Sequence, residues 1–287
     1  MKQLFLILAL NLCLLSIYAQ NETKPDSTTK KIVVLGSSVA AGWVTSYQSQ
    51  YDLQNGWAYR LQRYLKPMGW EVIIAGKPGD NTKKALKRLE KDVIKEKPSI
   101  VVVSLSLSNE GLNDKNADTI VDRFIKNLTT IINTCEKAGI KTIIGNCYAN
   151  SDYNAYEYDA IKRANSEINK LNVATINFLG AFENGFGKFP QGQTFDNGHP
   201  NNFGHEELFL SIVPGTFESI LKNNYAKPVL STQNYLEIGK KMEINTFDFV
   251  PNDVTHSFSF SLELNKVKDF SIRINSSGNF SDLQISN

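Results

Sequence analysis

Cysteine is scarce in this sequence, which has only three among 287 residues. Cys13 lies in an apolar N-terminal run, so Cys135 and Cys147 are the two that remain for the rest of the chain. The sequence pattern places Cys135 near the end of a helix and Cys147 just past the following strand. These points lie at opposite edges of a sheet, too far apart for the short Cα–Cα span of a disulfide. We therefore expect a protein stabilised by a sizeable hydrophobic core rather than by cross-links.

The sequence also lacks an excess of either charge. Its 31 basic and 29 acidic residues give a formal net charge of +2. Nucleic-acid-binding proteins normally carry a strong basic imbalance, so we predict no nucleic-acid partner. The lysines between Lys83 and Lys97 recur with helical spacing among apolar residues, which is typical of the solvated face of a helix.

Long hydrophobic runs are missing except at the N-terminus. The run from Leu4 to Ile17 is almost continuously apolar, follows Lys2, and is closed by the small residue Ala19. This pattern predicts a signal peptide over residues 1–19 and a linker over residues 20–29, and hence a secreted or periplasmic protein. The run is short for a membrane span, so no stable span is expected after signal removal. A retained N-terminal anchor is the alternative.

Apolar β-rich runs alternate with amphipathic helical patterns from about residue 31 to residue 225. The runs are continuously apolar, as in strands that are covered by helices on both faces. Repeated strand–helix units indicate a parallel sheet with right-handed crossovers, and this domain is assigned to residues 30–227. The predicted strands are Lys31–Gly36, Glu71–Ala75, Ile100–Leu105, Lys141–Asn146 and Val173–Phe178. The predicted helices lie near residues 56–66, 81–96, 117–138, 154–171 and 202–223.

The composition changes after Lys227-Pro228. Residues Ser257–Leu264 and Phe270–Ile274 alternate between polar and apolar side chains, which predicts half-buried antiparallel strands. A small β-rich module is therefore assigned to residues 228–287. Either this module packs on the first domain, or it is an incomplete piece of a longer protein.

Three turns that follow predicted strands carry groups suited to catalysis. Ser38, Gly79 and Asn109 all fall at the carboxyl ends of strands, where ligands bind in folds of this kind. A sharp bend at Gly36 would present the Ser38 hydroxyl. The Gly79 N–H and the Asn109 amide could both donate hydrogen bonds to an oxyanion. Each residue also has a plainer interpretation as part of a turn or a helix cap, so the prediction depends on their combination.

An acid and an imidazole lie three residues apart in Asp196-Asn197-Gly198-His199. The acid can fix the tautomer of the histidine, and the histidine can accept the proton of a serine hydroxyl. His205 raises the alternative of a metal site, but the sequence offers no compact set of three protein ligands. We therefore predict no metal, with Ser38, His199 and Asp196 as the catalytic residues.

These motifs resemble those of the SGNH, or GDSL-like, hydrolase family, in the family's order and over roughly residues 30–225. The matching residues are Ser38 in the nucleophile's place, Gly79, Asn109, Asp196 and His199. The resemblance implies a flavodoxin-like three-layer α/β/α fold with a five-stranded parallel sheet. It also implies ester hydrolysis through an acyl-enzyme, no cofactor, and an oxyanion hole formed by the first three residues.

Three residues depart from the family's usual pattern. Ser37 stands where the family usually has Asp, and Leu107 and Glu110 replace the usual Gly and Asp on either side of the asparagine block. The α/β-hydrolases also order their triad as Ser, Asp, His, but their Gly-x-Ser-x-Gly elbow is absent because Ala40 takes the last position.

The substrate is expected to be a small-molecule or glycan ester. Export and the β-rich module favour the removal of O-acetyl groups from carbohydrate, with Trp43, Tyr148 and Tyr153 predicted to line the cleft and stack on sugar rings. The alternatives are a lipase or lysophospholipase-type esterase and a non-catalytic exported carbohydrate-binding protein. The sequence does not indicate an oligomeric state.

Overall fold

The computed structural model describes residues 30–43, 53–113, 115–184 and 186–224, together with the backbone of residues 269–276 and 279–286. The predicted signal peptide, the linker and the predicted strand Ser257–Leu264 lie outside these residues. None of the helices in the described ranges is long and apolar enough to span a bilayer.

A five-stranded parallel sheet forms the centre of the first domain. Its strand order, β2-β1-β3-β4-β5, is that of flavodoxin-like folds. Every neighbouring pair of strands is parallel, so the predicted fold class is confirmed. The strands are β1 (Lys30–Gly36), β2 (Trp70–Gly76), β3 (Ile100–Ser104), β4 (Lys141–Gly145) and β5 (Ala174–Ile176).

Helices cover both faces of this sheet, and the first four agree with the predicted ones. The helices are α1 (Trp57–Leu65), α2 (Thr82–Asp92), α3 (Ala117–Lys137), α4 (Ala155–Lys170), α5 (Phe178–Ala181), α6 (Asn202–Leu210) and α7 (Gly215–Leu221).

Two predictions about the later elements were wrong. The single helix expected over residues 202–223 is two helices, because Pro214 disfavours helical backbone at Val213 and itself becomes the N-cap of α7. Phe178 was assigned to the last strand but begins α5, since the Asn177 side chain accepts a hydrogen bond from the Gly180 N–H at 3.0 Å and so starts a helix.

The continuously apolar strands are explained by two separate cores. Val33 and Leu35 of β1 point to the face covered by α2, α3 and α4. Ile32 and Val34 of the same strand point to the face covered by α1, α6 and α7. Since successive side chains of a strand point to opposite faces, each strand must be apolar throughout to fill both cores. Cys135 and Cys147 are buried as free thiols.

The C-terminal region contains one described hairpin. Its two strands, which follow β6 (Thr194–Asp196) and β7 (His199–Pro200) of the first domain in chain order, are β8 (Asp269–Ser276) and β9 (Asn279–Ser286). They are antiparallel: Asp269 pairs with Ser286 at the open end, and Ser276 pairs with Asn279 at the closed end. The strand predicted over Phe270–Ile274 falls within β8.

Candidate active site

The carboxyl ends of the central strands are aligned in one row. Gly36 at the end of β1 pairs with Gly76 of β2 and with Ser104 of β3. Ser104 in turn pairs with Gly145 of β4. Neighbouring strands are about 4.8 Å apart, so the turns that follow them begin side by side. The three turns that carry Ser38, Gly79 and Asn109 therefore leave the sheet from adjacent points.

The turn after β1 folds tightly against the end of β2. The Ser37 and Ser38 carbonyls accept hydrogen bonds from the N–H groups of Ala41 and Trp43, both at 3.0 Å. A Cβ atom on Gly76 would lie only 2.4 Å from the Ala41 nitrogen, so the approach requires glycine at this position. Ser38 is 8% exposed and stands at the rim of the sheet.

Asp196 and His199 lie on a short hairpin that the sequence pattern did not predict. Its strands are β6 (Thr194–Asp196) and β7 (His199–Pro200), which are antiparallel. Asp196 and His199 are cross-strand partners, and such partners have Cβ atoms about 5 Å apart. With only Asn197 and Gly198 between them, the acid and the histidine face each other across a two-residue turn.

Ser38, His199 and Asp196 form a continuous hydrogen-bonded chain. His199 Nδ1 lies 2.9 Å from Asp196 Oδ1 and 3.0 Å from Oδ2. His199 Nε2 lies 3.0 Å from Ser38 Oγ. When Nδ1–H donates to the carboxylate, Nε2 is left with a lone pair that can accept the serine proton. The Gly198 N–H donates to Asp196 Oδ1 at 2.8 Å and helps to fix the carboxylate.

Gly79 lies in the turn between β2 and α2. The turn is closed by a hydrogen bond from the Asp80 N–H to the Lys77 carbonyl at 3.1 Å, and Lys77 N–H donates to the Gly36 carbonyl at 2.9 Å. Gly79 has a φ of +75°, a left-handed conformation that favours glycine. In the described part of the chain, neither the Ser38 nor the Gly79 N–H has a backbone acceptor. Both donors remain available to a bound oxygen atom.

Asn109 ends a 3-10 turn, Leu107–Asn109, that follows β3. Its backbone carbonyl accepts a hydrogen bond from Asn81 Nδ2 at 3.2 Å. Asn81 is also the N-cap of α2, where its Oδ1 accepts from the Lys84 N–H at 3.0 Å. The Asn109 turn is thus tied to the start of α2, two residues beyond Gly79.

A buried ion pair lies beneath these turns, and sequence reasoning missed it. Arg88 Nε donates to Asp80 Oδ2 at 2.5 Å, and Arg88 Nη2 donates to the Gly36 carbonyl at 3.0 Å. The two side chains are 10% and 8% exposed. A signal was present in the sequence, because Arg88 lies with Ala85 and Leu89 on the buried face of α2 rather than among its solvated lysines.

The structure corrects two of the three predicted substrate contacts. Tyr148 and Tyr153 are only 3% and 7% exposed, so neither ring is available to stack on a sugar. Burial raises the pKa of Tyr148 to about 12, although hydrogen bonds with the side chains of Ser37 and Ser108 oppose the shift. Tyr148 therefore supports the turns below the site instead of lining the cleft. Trp43 is half-buried, and its N–H donates to the Ser38 carbonyl.

His205, the alternative metal ligand, has a structural position instead. It is fully buried, and its Nδ1 accepts a hydrogen bond from the Trp57 N–H at 3.3 Å, which links α6 to α1. Burial lowers the pKa of His205 to about 3. No group of three or more His, Cys, Asp or Glu side chains that could hold a metal occurs within the described ranges.

A flavodoxin-like sheet with a serine, a histidine and an acid joined at its carboxyl edge defines a hydrolase of the SGNH class. The sequence agrees with this classification, since residues 34–207 match the model of the GDSL-like lipase/acylhydrolase family. The match covers more than half of the chain, and the chain belongs to this family. No curated protein sequence matches it significantly.

Solved structures of a lipase/acylhydrolase and of two acetylxylan esterases share the fold. A lipase/acylhydrolase from Enterococcus faecalis is 27% identical, with a TM-score of 0.50 over 68% of this chain and 96% of its own. An acetylxylan esterase from Geobacillus stearothermophilus is 15% identical, with a TM-score of 0.51 over 63% of this chain and 91% of its own. The acetyl xylan esterase AlAXEase is 24% identical, with a TM-score of 0.50 over 64% of this chain and 100% of its own.

Proposed function

We propose that this protein is a serine ester hydrolase that works through an acyl-enzyme. The observation that carries the proposal is the unbroken chain from Asp196 through His199 to Ser38, with contacts of 2.9 and 3.0 Å. A binding protein that had lost its activity would be under no constraint to keep all three groups in contact.

The contacts suit acyl transfer to water. Ser38 Oγ attacks the ester carbonyl while its proton moves to His199 Nε2, and Asp196 stabilises the imidazolium that forms. The histidine then returns the proton to the leaving alcohol. In the second half of the cycle, His199 takes a proton from water, which attacks the acyl-enzyme. The bond to Ser38 Oγ then breaks, His199 returns the proton to that oxygen, and the acid is released.

The negative charge that develops on the carbonyl oxygen requires hydrogen-bond donors. We assign this role to the N–H groups of Ser38 and Gly79 and to the side-chain amide of Asn109, which lie in adjacent turns. Donors of this kind stabilise the transition state more than the ground state, and each is worth on the order of 10²–10³ in rate. Asn109→Ala should therefore lower kcat by about that factor with little change in KM.

Labelling with a fluorophosphonate probe tests the nucleophile directly. The probe should modify Ser38, and mass spectrometry of the peptide should locate the adduct there. Ser38→Ala should abolish labelling and ester hydrolysis without lowering the melting temperature. Ser37→Ala is a matched control at the neighbouring position and should still be labelled. Full esterase activity in Ser38→Ala would show that the assignment is wrong.

We further propose that the natural substrate is an O-acetylated carbohydrate. The β-rich C-terminal region and the signal-like N-terminus support an exported enzyme acting on a polymer. Two of the fold relatives described above are acetylxylan esterases.

The substrate proposal is tested by comparing acyl chains and polymers. Acetate release from acetylated xylan or pectin should exceed that from an enzyme-free control, and p-nitrophenyl acetate should be hydrolysed with a higher kcat/KM than the octanoate. A preference for octanoate or longer esters would instead favour a lipase-type enzyme, as the name of the Enterococcus faecalis relative suggests. N-terminal sequencing of the exported protein would test cleavage after Ala19.

A further inference from the structure

Glu110 occupies an unusual position for a charged side chain. It directly follows Asn109, yet its side chain is only 1% exposed. The 3-10 turn that contains Asn109 ends here, with the Glu110 N–H donating to the Leu107 carbonyl at 2.9 Å. A carboxylate buried to this degree is retained only where hydrogen bonds replace its lost hydration.

Those hydrogen bonds come from the first residue of α2. Glu110 Oε1 accepts from both the N–H and the hydroxyl of Thr82, each at 2.6 Å. Thr82 is fully buried, and its hydroxyl accepts a hydrogen bond from Asn127 Nδ2 at 2.9 Å. On its other side, Glu110 contacts Arg123, whose Nη2 lies 2.6 Å from the Glu110 carbonyl and 3.3 Å from Oε2.

These contacts join two of the three turns that carry the assigned oxyanion donors. Glu110 is adjacent to Asn109 on one turn, and Thr82 lies three residues after Gly79 on the other. A second link, from Asn81 Nδ2 to the Asn109 carbonyl at 3.2 Å, runs in parallel. The Glu110–Thr82 contact is thus one of two links between the turn that carries Asn109 and the turn that carries Gly79.

We propose that Glu110 is a positioning residue, which holds Asn109 in the orientation that stabilises the oxyanion by anchoring its turn to Thr82 at the start of α2. This inference rests on the proposed esterase function. A misplacement of a donor by about 1 Å can cost on the order of 10² in rate. Loss of the Glu110 contacts should thus lower kcat without removing any group that touches the substrate.

The decisive experiment is a double-mutant cycle between Glu110 and Asn109. Glu110→Ala should lower kcat about 10- to 100-fold and leave KM within about threefold, because the oxyanion forms only in the transition state. In the Asn109→Ala background, the same change should lower kcat by less than about threefold, since the group that Glu110 positions is already absent.

Conservative variants sharpen the cycle. Glu110→Gln keeps an acceptor oxygen for Thr82 and should restore most of the activity that Glu110→Ala loses. Glu110→Asp shortens the side chain by one methylene, so its carboxylate should not reach Thr82 and the activity should stay low. Thr82→Val removes one of the two donors and should give an intermediate loss. If Glu110→Ala does not fold, the cycle with Asn109→Ala is carried out with Glu110→Asp and Thr82→Val.

A stability control separates positioning from general destabilisation. Val93 is fully buried at the opposite end of α2. Val93→Ala should lower the unfolding midpoint while kcat stays unchanged. The proposal would be overturned if Glu110→Ala lowered kcat by the same factor in the wild-type protein and in Asn109→Ala. It would also be overturned if Glu110→Ala lowered stability without lowering kcat. Activity that persists in Ser38→Ala would instead overturn the esterase assignment itself.

Discussion

The two halves of the site are built in different ways. We call the turns that carry Ser38, Gly79 and Asn109 the serine half, and the hairpin from Asp196 to His199 the histidine half. The serine half is anchored by buried charged groups, since Arg88 and Glu110 have side chains only 10% and 1% exposed. In the histidine half, the side chains of His199 and Asp196 are 25% and 47% exposed.

This difference in burial means that the two halves contribute differently to the stability of the protein. Removing a partner from the serine half leaves a buried charge or an unsatisfied backbone group, which costs several kcal/mol of folding free energy. The hairpin of the histidine half is only partly buried, so the same kind of change there costs little stability. We therefore expect substitutions at the buried charged anchors of the serine half, Arg88 and Glu110, to lower both stability and activity. Substitutions in the histidine half should lower activity alone.

The largest effect on activity is expected in the histidine half. His199→Ala removes the base that accepts the Ser38 proton and should lower kcat by about 10⁴-fold or more. The unfolding midpoint in urea should stay within experimental error, because the ring is partly exposed and lies outside the buried core. Steady-state kinetics and urea titration of the same preparation measure both quantities. A large drop in stability would break the distinction between the two halves.

A buried ion pair should give the largest loss of stability. Arg88→Met leaves the Asp80 carboxylate buried without its partner and should lower the free energy of unfolding by about 3–5 kcal/mol. Arg88 also pairs with Asp92, but that side chain is 23% exposed and loses less when its partner is removed. Combining Arg88→Met with Asp80→Asn removes the more deeply buried unpaired charge, so the double variant should regain much of that loss. Denaturant titration measures the three variants. A double variant less stable than Arg88→Met would show that the cost does not come from the unpaired carboxylate.

The sequence predicts the fold and the serine half well for a physical reason. Continuous apolar strands alternating with amphipathic helices specify a doubly covered parallel sheet, and that sheet brings residues at its carboxyl edge together. This rule places Ser38, Gly79 and Asn109 at one edge of the sheet, and the resemblance to the SGNH family then assigns their roles. The pairing of Asp196 with His199 across a hairpin does not follow from this rule, because strands of three and two residues are too short to give a periodic pattern.

Side-chain orientation was the part that sequence could not supply. Tyr148 follows β4 at the same edge as the catalytic turns, but its ring turns inward to Ser37 and Ser108. Position along the chain fixes where the backbone of a tyrosine lies and not whether its ring faces a cleft. Likewise, Glu110 was recognised as a departure from the family's pattern, but its contacts with Thr82 join residues 28 positions apart.

A buried histidine that follows the hairpin is expected to make stability depend on pH. His205 is buried on α6, with a pKa lowered from 6.5 to about 3 mainly by desolvation and, to a smaller degree, by the charges of Arg60 and His199. The unfolded chain takes up a proton near its ordinary pKa while the folded protein does not. The stability that the neutral His205 ring contributes is therefore complete above about pH 6.5 and is lost as the pH falls toward 3. The loss should reach about 2 kcal/mol at pH 5.

A variant without the titrating group isolates this contribution. His205→Gln can still accept a hydrogen bond from the Trp57 N–H but cannot be protonated. Its free energy of unfolding should fall by about 2 kcal/mol less than that of the wild-type protein between pH 7 and pH 5. Urea titrations at the two pH values measure the difference. If the free energy of unfolding fell by the same amount in both proteins between pH 7 and pH 5, His205 would not control stability in acid.

The smallest effect is expected at the tip of the hairpin, where Asn197 ties the catalytic turn to the segment that follows β4. Asn197 lies between the acid and the histidine, and its carbonyl accepts from the Ser151 N–H at 2.8 Å while its Nδ2 donates to Asp152 Oδ1 at 2.7 Å. Asn197→Ala removes only the second contact, which is exposed. We expect kcat to fall about threefold to tenfold, with stability unchanged within about 0.5 kcal/mol.

An exposed ion pair elsewhere provides the matched control for that variant. Asp118 of α3 pairs with Arg163 of α4, and this contact, like that between Asn197 and Asp152, joins residues 45 positions apart. Asp118→Ala should leave kcat unchanged, because the contact it removes does not touch the hairpin. If both variants reduced kcat equally, the Asn197 effect would be a general response to surface substitution. If only Asn197→Ala reduced it, the exposed half of the site would depend on contacts too weak to register in the stability of the fold.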